Sequence, residues 1–397
     1  MSEHGPLMRT ARRFFLPAVL SAYSIVVAAV PMGGGESSQE EGRRPRSRDC
    51  SSIDLVNHGH SVFGKNLDNT YSTGGLILIN TRGVERYGRG VSTTGQRAHW
   101  VSRYASVNFS FVHIGHVWTG MNEKGLVISM MGIPEAAGPP PDHRPPLEDG
   151  QWVQYMLDTC ATVDEVLTAS RDFRIITIDH YHVADRSGDS AVFEFIDGDE
   201  IVYAGDDLPV SVLTNSTYAD SIHDWRRLGQ GWFPPPNGSI ERFRIAAERV
   251  LGFESTDVDS AVEYAFDTLF AIRSEAIYPY PNTTQWSIVF DTQNLRAYFR
   301  TYDHPGIKHF DIYDLDPTCT SPVRMLDIQT PGTGDVSELF EDLTFEAAYD
   351  HYWQFIESFL GRTPDPNDVG SVISYFMDIH CVGTGIAPYA PSGRRTP

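Results

Sequence analysis

Cys50 stands where two kinds of sequence meet. Before it a polar, arginine-rich stretch ends Arg46-Ser47-Arg48-Asp49. After it the chain reads Cys50-Ser51-Ser52-Ile53-Asp54-Leu55, turns through Asn57-His58-Gly59-His60, and continues Ser61-Val62-Phe63-Gly64-Lys65-Asn66-Leu67-Asp68-Asn69. Cutting the bond before Cys50 would leave a thiol nucleophile and a free α-amine, able to act as its base, on one residue. A free thiol titrates at about 8.5 and an α-amine at about 7.7–8.0. That pairing suits attack on an amide carbonyl.

The residues ahead of Cys50 look disposable. A charged start (Arg9, Arg12, Arg13) leads into an apolar run from Phe14 to Val30, with small residues around Val27-Ala28-Ala29 where a signal peptidase would cut. The run is interrupted by Pro17, and a stable membrane span needs about 20 predominantly apolar residues. We therefore expect residues 1–30 to be an export signal removed on the way out, rather than an anchor. Arg12-Arg13-Phe14-Phe15-Leu16 fits a twin-arginine signal as well as an ordinary secretory one. Residues 31–49, rich in Gly, Ser, Glu and Arg, read as a propeptide or linker that buries no core.

What remains is one domain, 50–397, with a helical C-terminal extension from about residue 326. Its 348 residues carry 24 basic and 47 acidic side chains, a net charge of −23. Such a surface argues against nucleic acid and against stable association with anionic membranes. Of the four cysteines, Cys160 lies in an apolar helical pattern. Cys319 and Cys381 either pair in an oxidising compartment or stay as thiols.

Short strand patterns are expected at 52–56, 61–66, 76–80, 109–117 and 126–131, then at 174–178, 180–184, 191–196, 200–203 and 211–214, and again at 286–290 and 295–301. Met121-Asn122-Glu123-Lys124-Gly125 reads as a turn. Helical spacing marks 151–159, 164–169, 240–251, 258–272, 345–360 and 369–379. Blocks of antiparallel hairpins alternating with helices predict an α+β fold of two stacked sheets covered by helices.

Four stretches in register resemble a known family. Cys50 with Phe63-Gly64-Lys65-Asn66-Leu67-Asp68, Gly120-Met121-Asn122-Glu123-Lys124-Gly125-Leu126, Leu213-Thr214-Asn215-Ser216 and Glu241-Arg242-Phe243 are similar to the choloylglycine hydrolase and penicillin V acylase family. These are linear amide C–N hydrolases of the N-terminal-nucleophile superfamily. The resemblance covers roughly Cys50 to Thr301 and implies a four-layer αββα sandwich with no cofactor and no metal. It implies Cys50 as nucleophile, its freed amine as base, Asp68 holding that amine, the Asn215 amide donating to the oxyanion, and Arg242 stabilising charge. Lys65 stands where the family usually has arginine beside the thiol, and Gly132, after Met131, stands where many members have Asn or Tyr. A lysine keeps the charge but loses the bidentate fork. Gly132 keeps a backbone N–H for the oxyanion but changes the surface offered to substrate.

The same residues admit plainer roles. Cys50 could be an ordinary buried cysteine, Asp68 a turn former, Asn215-Ser216-Thr217 a helix cap or glycosylation acceptor, Arg242 a solvated helix residue, and Lys65 a strand-edge cation. On the chemical reading, a cation such as Lys65 or Arg242 brings the thiolate within reach of neutrality. Asp68 orients the amine, and one oxyanion donor is worth about 2.7–4 kcal/mol. The pairs His58/His60, His113/His116 and His180/His182 raise a rival, a metal-dependent hydrolase, although none has a recognised zinc spacing. Two residues apart in a strand, His180 and His182 can share one face. A third reading is an exported binding domain without turnover. The leading expectation is an exported, autoprocessed cysteine amidase acting on a small N-acyl amide through an acyl-thioenzyme, with a homo-oligomer open.

Overall fold

The computed structural model describes residues 50–57, 60–69, 74–177, 179–227, 238–255, 257–275, 283–315 and 317–383. The expected leader, the spacer and His58 lie outside them.

Strand Cys50–Asn57 pairs antiparallel with His60–Asn69, so that Cys50 faces Leu67 and Ser52 faces Lys65. The hairpin sits inside a seven-stranded sheet ordered Val212–Leu213, Cys50–Asn57, His60–Asn69, Thr283–Asp291, Arg296–Thr301, Lys308–Asp311 and Gly334–Asp335. The second sheet has nine strands, ordered Asp199–Ala204, Ser190–Ile196, Asp179–Ala184, Val127–Gly132, Thr119–Asn122, Ser106–Ser110, Leu76–Asn80, Arg324–Asp327 and Glu341–Asp342.

The two sheets stack face to face. Contacts such as Phe109 against Phe290 and Phe63 against His182 lie between them. Helices Ser239–Leu251 and Val258–Ala271 cover the outer face of the first sheet, and Asp149–Thr159 covers the second. This is the expected α+β, αββα sandwich. Alternation along a strand sends Cys50, Ser52 and Asp54 into the space between the sheets and Ser51 toward the helices. The Lys65, His182 and Arg242 contacts given below follow that division.

Most helix ends are capped as their sequences suggest. Thr162, Thr217, Asp257 and Thr344 each accept a backbone N–H in the first turn of the helix that follows. Thr217 opens Tyr218–Arg226, a helix the sequence reading did not identify, so in the Asn215-Ser216-Thr217 run it is Thr217 that acts as the cap.

The expected strand 109–117 is corrected. The strand ends at Ser110 and the next begins at Thr119. Between them the chain makes a tight turn, closed by the N–H of His116 donating to His113 O at 2.9 Å. The turn is as apolar as a strand because the C-terminal helices Phe345–Leu360 and Pro366–Met377 bury it: Phe355 packs on Phe111, and Tyr352 and Phe376 pack on His113. Cys319 and Cys381 form a disulfide that ties the end of this extension back to the domain. Among the described residues, no helix is long and apolar enough to cross a membrane.

Candidate active site

Cys50 opens the strand at one end of the inter-sheet space and is fully buried. Asn215 and Arg242 grip its backbone from the two sides. The N–H of Cys50 donates to Asn215 Oδ1 at 2.5 Å. Arg242 Nη1 donates to the Cys50 carbonyl oxygen at 2.5 Å and to Ser51 Oγ at 2.6 Å, while its Nη2 donates to Asn215 Oδ1 at 3.0 Å.

The Asn215 amide can stand only one way round. Two donors converge on one of its atoms, which must be the oxygen. Nδ2 on the other side donates to the Gly132 carbonyl at 2.8 Å. An amide nitrogen carries two protons, so one N–H remains beyond the bond to Gly132. Asn215 therefore ties Cys50 in the first sheet to Gly132 in the second. Arg242 is 2% exposed, although it lies on a helix with a solvated face, because it points inward to this cluster.

Lys65 is also buried completely. Its Nζ donates to Met130 O at 3.0 Å and lies 5.6 Å from the ring centroid of Trp118. Burial lowers its affinity for a proton, opposed by attraction to Cys50, Asp68 and Asp179. The Asp68 carboxylate accepts from Ser274 Oγ at 2.8 Å and from Thr284 Oγ1 at 2.5 Å. Met131 is buried, and by strand alternation it shares the inter-sheet face with its register partner His180.

Burial pushes the Cys50 thiol up. Lys65 and Arg242 pull it down, the Asp68 charge raises it, and the Asp68 backbone N–H, which donates to the sulfur, lowers it. The net direction is upward. Removing the charged form from water costs more than the neighbouring cations return. A thiol in this setting needs a base to take its proton as it attacks.

The histidines take other places. His182 bridges Ser52 Oγ at 2.8 Å and Ser211 Oγ at 2.9 Å, and burial holds it down to about 3. His180 bonds through Nδ1 to Glu194 Oε1 at 3.1 Å. The two do share one face, between the sheets. Among the described residues, no three His, Cys, Asp or Glu side chains come together in a way that could hold a metal ion.

Sequence reasoning missed Ser51, Ser274 and Thr284, which orient Arg242 and Asp68. Ser51 is adjacent to Cys50, so its position was a signal. Ser274 and Thr284 are 206 and 216 positions from Asp68, and nothing local marks them.

A model of the linear amide C–N hydrolases, choloylglycine hydrolase family, matches residues 50–226. A penicillin V acylase from Pectobacterium atrosepticum is 28% identical over 307 residues, 66% of this chain and 80% of that protein. The structure of a penicillin V acylase from Agrobacterium tumefaciens superposes with a TM-score of 0.66 at 24% identity, covering 74% of this chain and 98% of the other. A mutant of the conjugated bile acid hydrolase from Clostridium perfringens superposes with a TM-score of 0.58 at 19% identity, covering 72% and 98%. The matched region begins at Cys50 itself and marks this chain as a hydrolase of non-peptide C–N bonds in linear amides, similar over residues 50–226 to the choloylglycine hydrolase family.

Proposed function

We propose that the mature protein is an exported N-terminal-cysteine amidohydrolase that cleaves small N-acyl compounds through an acyl-thioenzyme. The observation that carries this reading is the grip on Cys50: Asn215 Oδ1 at its nitrogen and Arg242 at its carbonyl. Once the bond to Asp49 is cut, the same acceptor would hold a free α-amine beside the thiol.

In the first half-reaction the α-amine takes the thiol proton as sulfur attacks the substrate carbonyl. The carbonyl π pair moves to oxygen, which the second N–H of Asn215 and the backbone N–H of Gly132 would meet. Collapse re-forms the carbonyl and breaks the C–N bond, and the α-ammonium returns its proton to the leaving amine. Water then attacks the thioester with the same amine as base, releasing the carboxylic acid and restoring the thiol. Asp68 would hold the ammonium form, and Lys65, buried like Cys50, would offset the sulfur's charge.

The family resemblance supports a substrate in which an acyl group is joined to an amino acid, taurine, a β-lactam nucleus or a homoserine lactone. Lys65 and Gly132 favour a substrate other than a conjugated bile acid. The charged start and apolar run of residues 9–30 support export, and the spacer 31–49 would be removed to free Cys50.

A panel of N-acyl amides tests the reading, assayed with wild type, Cys50→Ser and iodoacetamide-treated enzyme. Turnover by wild type that both thiol changes abolish supports it. Turnover that survives either change contradicts it.

A further inference from the structure

We infer that Glu194 is a positioning residue, whose carboxylate fixes the turn that presents Asn215 to Cys50. The inference rests on the functional reading above for its kinetic consequence, and on geometry for the rest.

Glu194 lies in strand Ser190–Ile196 of the nine-stranded sheet and is 1% exposed. A carboxylate is not placed there without partners. Its Oε1 accepts the N–H of Tyr218 at 2.7 Å and bonds His180 Nδ1 at 3.1 Å. With the proton on Nδ1, His180 is neutral, which agrees with burial holding its basicity below the ordinary value.

Tyr218 is the first residue of the helix Tyr218–Arg226, three positions after Asn215. Its N–H is one of the orphan donors at a helix start, where the dipole also favours a negative charge. The chain entering this turn leaves strand Val212–Leu213 at the edge of the other sheet. One carboxylate therefore fastens a turn from the first sheet onto the second.

That crossing is the one Asn215 makes. Its amide spans Cys50 N and Gly132 O, with bonds of 2.5 and 2.8 Å. Two hydroxyl contacts, Ser216 to Ser239 and Ser239 to Thr214, both 2.9 Å, tether the turn on its helix side. Glu194 ties the backbone of the turn to the second sheet, beside the Asn215–Gly132 bond itself and the packing of the Tyr218 ring on Tyr203. Without it, the turn loses its charged backbone tie to the second sheet, and Asn215 is held less firmly in the geometry in which both amide ends are used at once.

The test uses the processed enzyme and three variants. Glu194→Met keeps the volume and removes the acceptor. Glu194→Asp keeps the charge and withdraws it by one methylene. Glu194→Gln keeps an acceptor oxygen in place. Two quantities are read: kcat and KM on the panel substrate wild type turns over best, with active sites counted by thiol titration, and the pH profile of Cys50 alkylation by iodoacetamide. We expect E194M to lower kcat at least tenfold with KM changed less than threefold, and to shift the alkylation profile. E194D should fall between E194M and wild type, and E194Q should recover to within about threefold of wild type. Should E194M not fold, E194D carries the test by the same two quantities.

A purely structural role would lower the melting temperature while leaving kcat per titrated thiol and the alkylation profile unchanged, and that result overturns the inference. If wild type turns over nothing in the panel, the functional reading fails. The alkylation profile still decides the role of Glu194, since it reports on Cys50 without turnover.

Discussion

Arg242 holds Cys50 by its carbonyl, not by its thiol. The guanidinium spans Cys50 O, Ser51 Oγ and Asn215 Oδ1, so three of its bonds go to the backbone and neighbours of Cys50. Its place is to fix the backbone of Cys50 at the start of the strand.

Arg242→Lys keeps the charge but cannot make the forked set of bonds. Hydrogen bonds to a charged group are worth about 1.5–3 kcal/mol. We expect kcat/KM to fall by roughly tenfold to a hundredfold, which steady-state kinetics of the processed variant would show. Activity within twofold of wild type would remove Arg242 from the machinery.

Asn215→Ala removes the acceptor at the Cys50 nitrogen and, on the proposed function, a donor to the oxyanion. Loss of one such donor costs about 2.7–4 kcal/mol, so kcat should drop by about two to three orders of magnitude. Asn215→Asp should also be poor, because it restores the acceptor but has no N–H for Gly132 O or for the oxyanion. Equal activity of N215D and wild type would leave only the acceptor role.

Asp54 predicts a signature in stability against pH. It is buried between the sheets, accepts from Ser61 Oγ and Ser190 Oγ, and burial, together with the nearby Asp185 charge, pushes it up to about 7 from its ordinary 3.8. Between those two pH values the folded state holds a proton that the unfolded chain has released. The contribution to unfolding free energy therefore falls as pH rises, and levels off above about 7. The full effect is roughly 4 kcal/mol at most. Denaturant titrations of wild type and Asp54→Asn from pH 4 to 8 give the difference, in which the opposite slope from His182 cancels. Parallel curves would contradict the assignment.

Much of the site was legible and some of it was not, for reasons the structure makes plain. Cys50, Lys65 and Asp68 sit on adjacent strands of one hairpin, so their relation is written in nearby sequence. Asn215 was found, yet its orientation was not, because only three-dimensional placement sets two donors against its oxygen. The hairpin Val84–Val91 with Arg97–Val101 went unseen because its strands, VERYGRGV and RAHWV, carry charge on their exposed face and a central glycine. The run 109–117 misled in the opposite direction, since apolar residues there serve a turn packed beneath helices from the far end of the chain. Local pattern identifies a buried segment more readily than it identifies the shape of that segment.

The disulfide makes a separable prediction. Cys319 and Cys381 are 62 positions apart, a loop whose closure is worth about 4 kcal/mol in the chain-entropy account. Cys319→Ser with Cys381→Ser should lower the melting temperature by several degrees and leave the reactivity of Cys50 in place. Calorimetry and iodoacetamide labelling read the two effects. A loss of Cys50 labelling at a temperature where the variant is folded would show that the extension shapes the site as well as stabilising it.

Intact-mass analysis and N-terminal sequencing of the purified, fully active protein test the central claim most directly. The account predicts a mature chain beginning at Cys50, with sulfur and a primary amine on one residue. Full activity in a chain whose Asp49–Cys50 bond is still intact would contradict it.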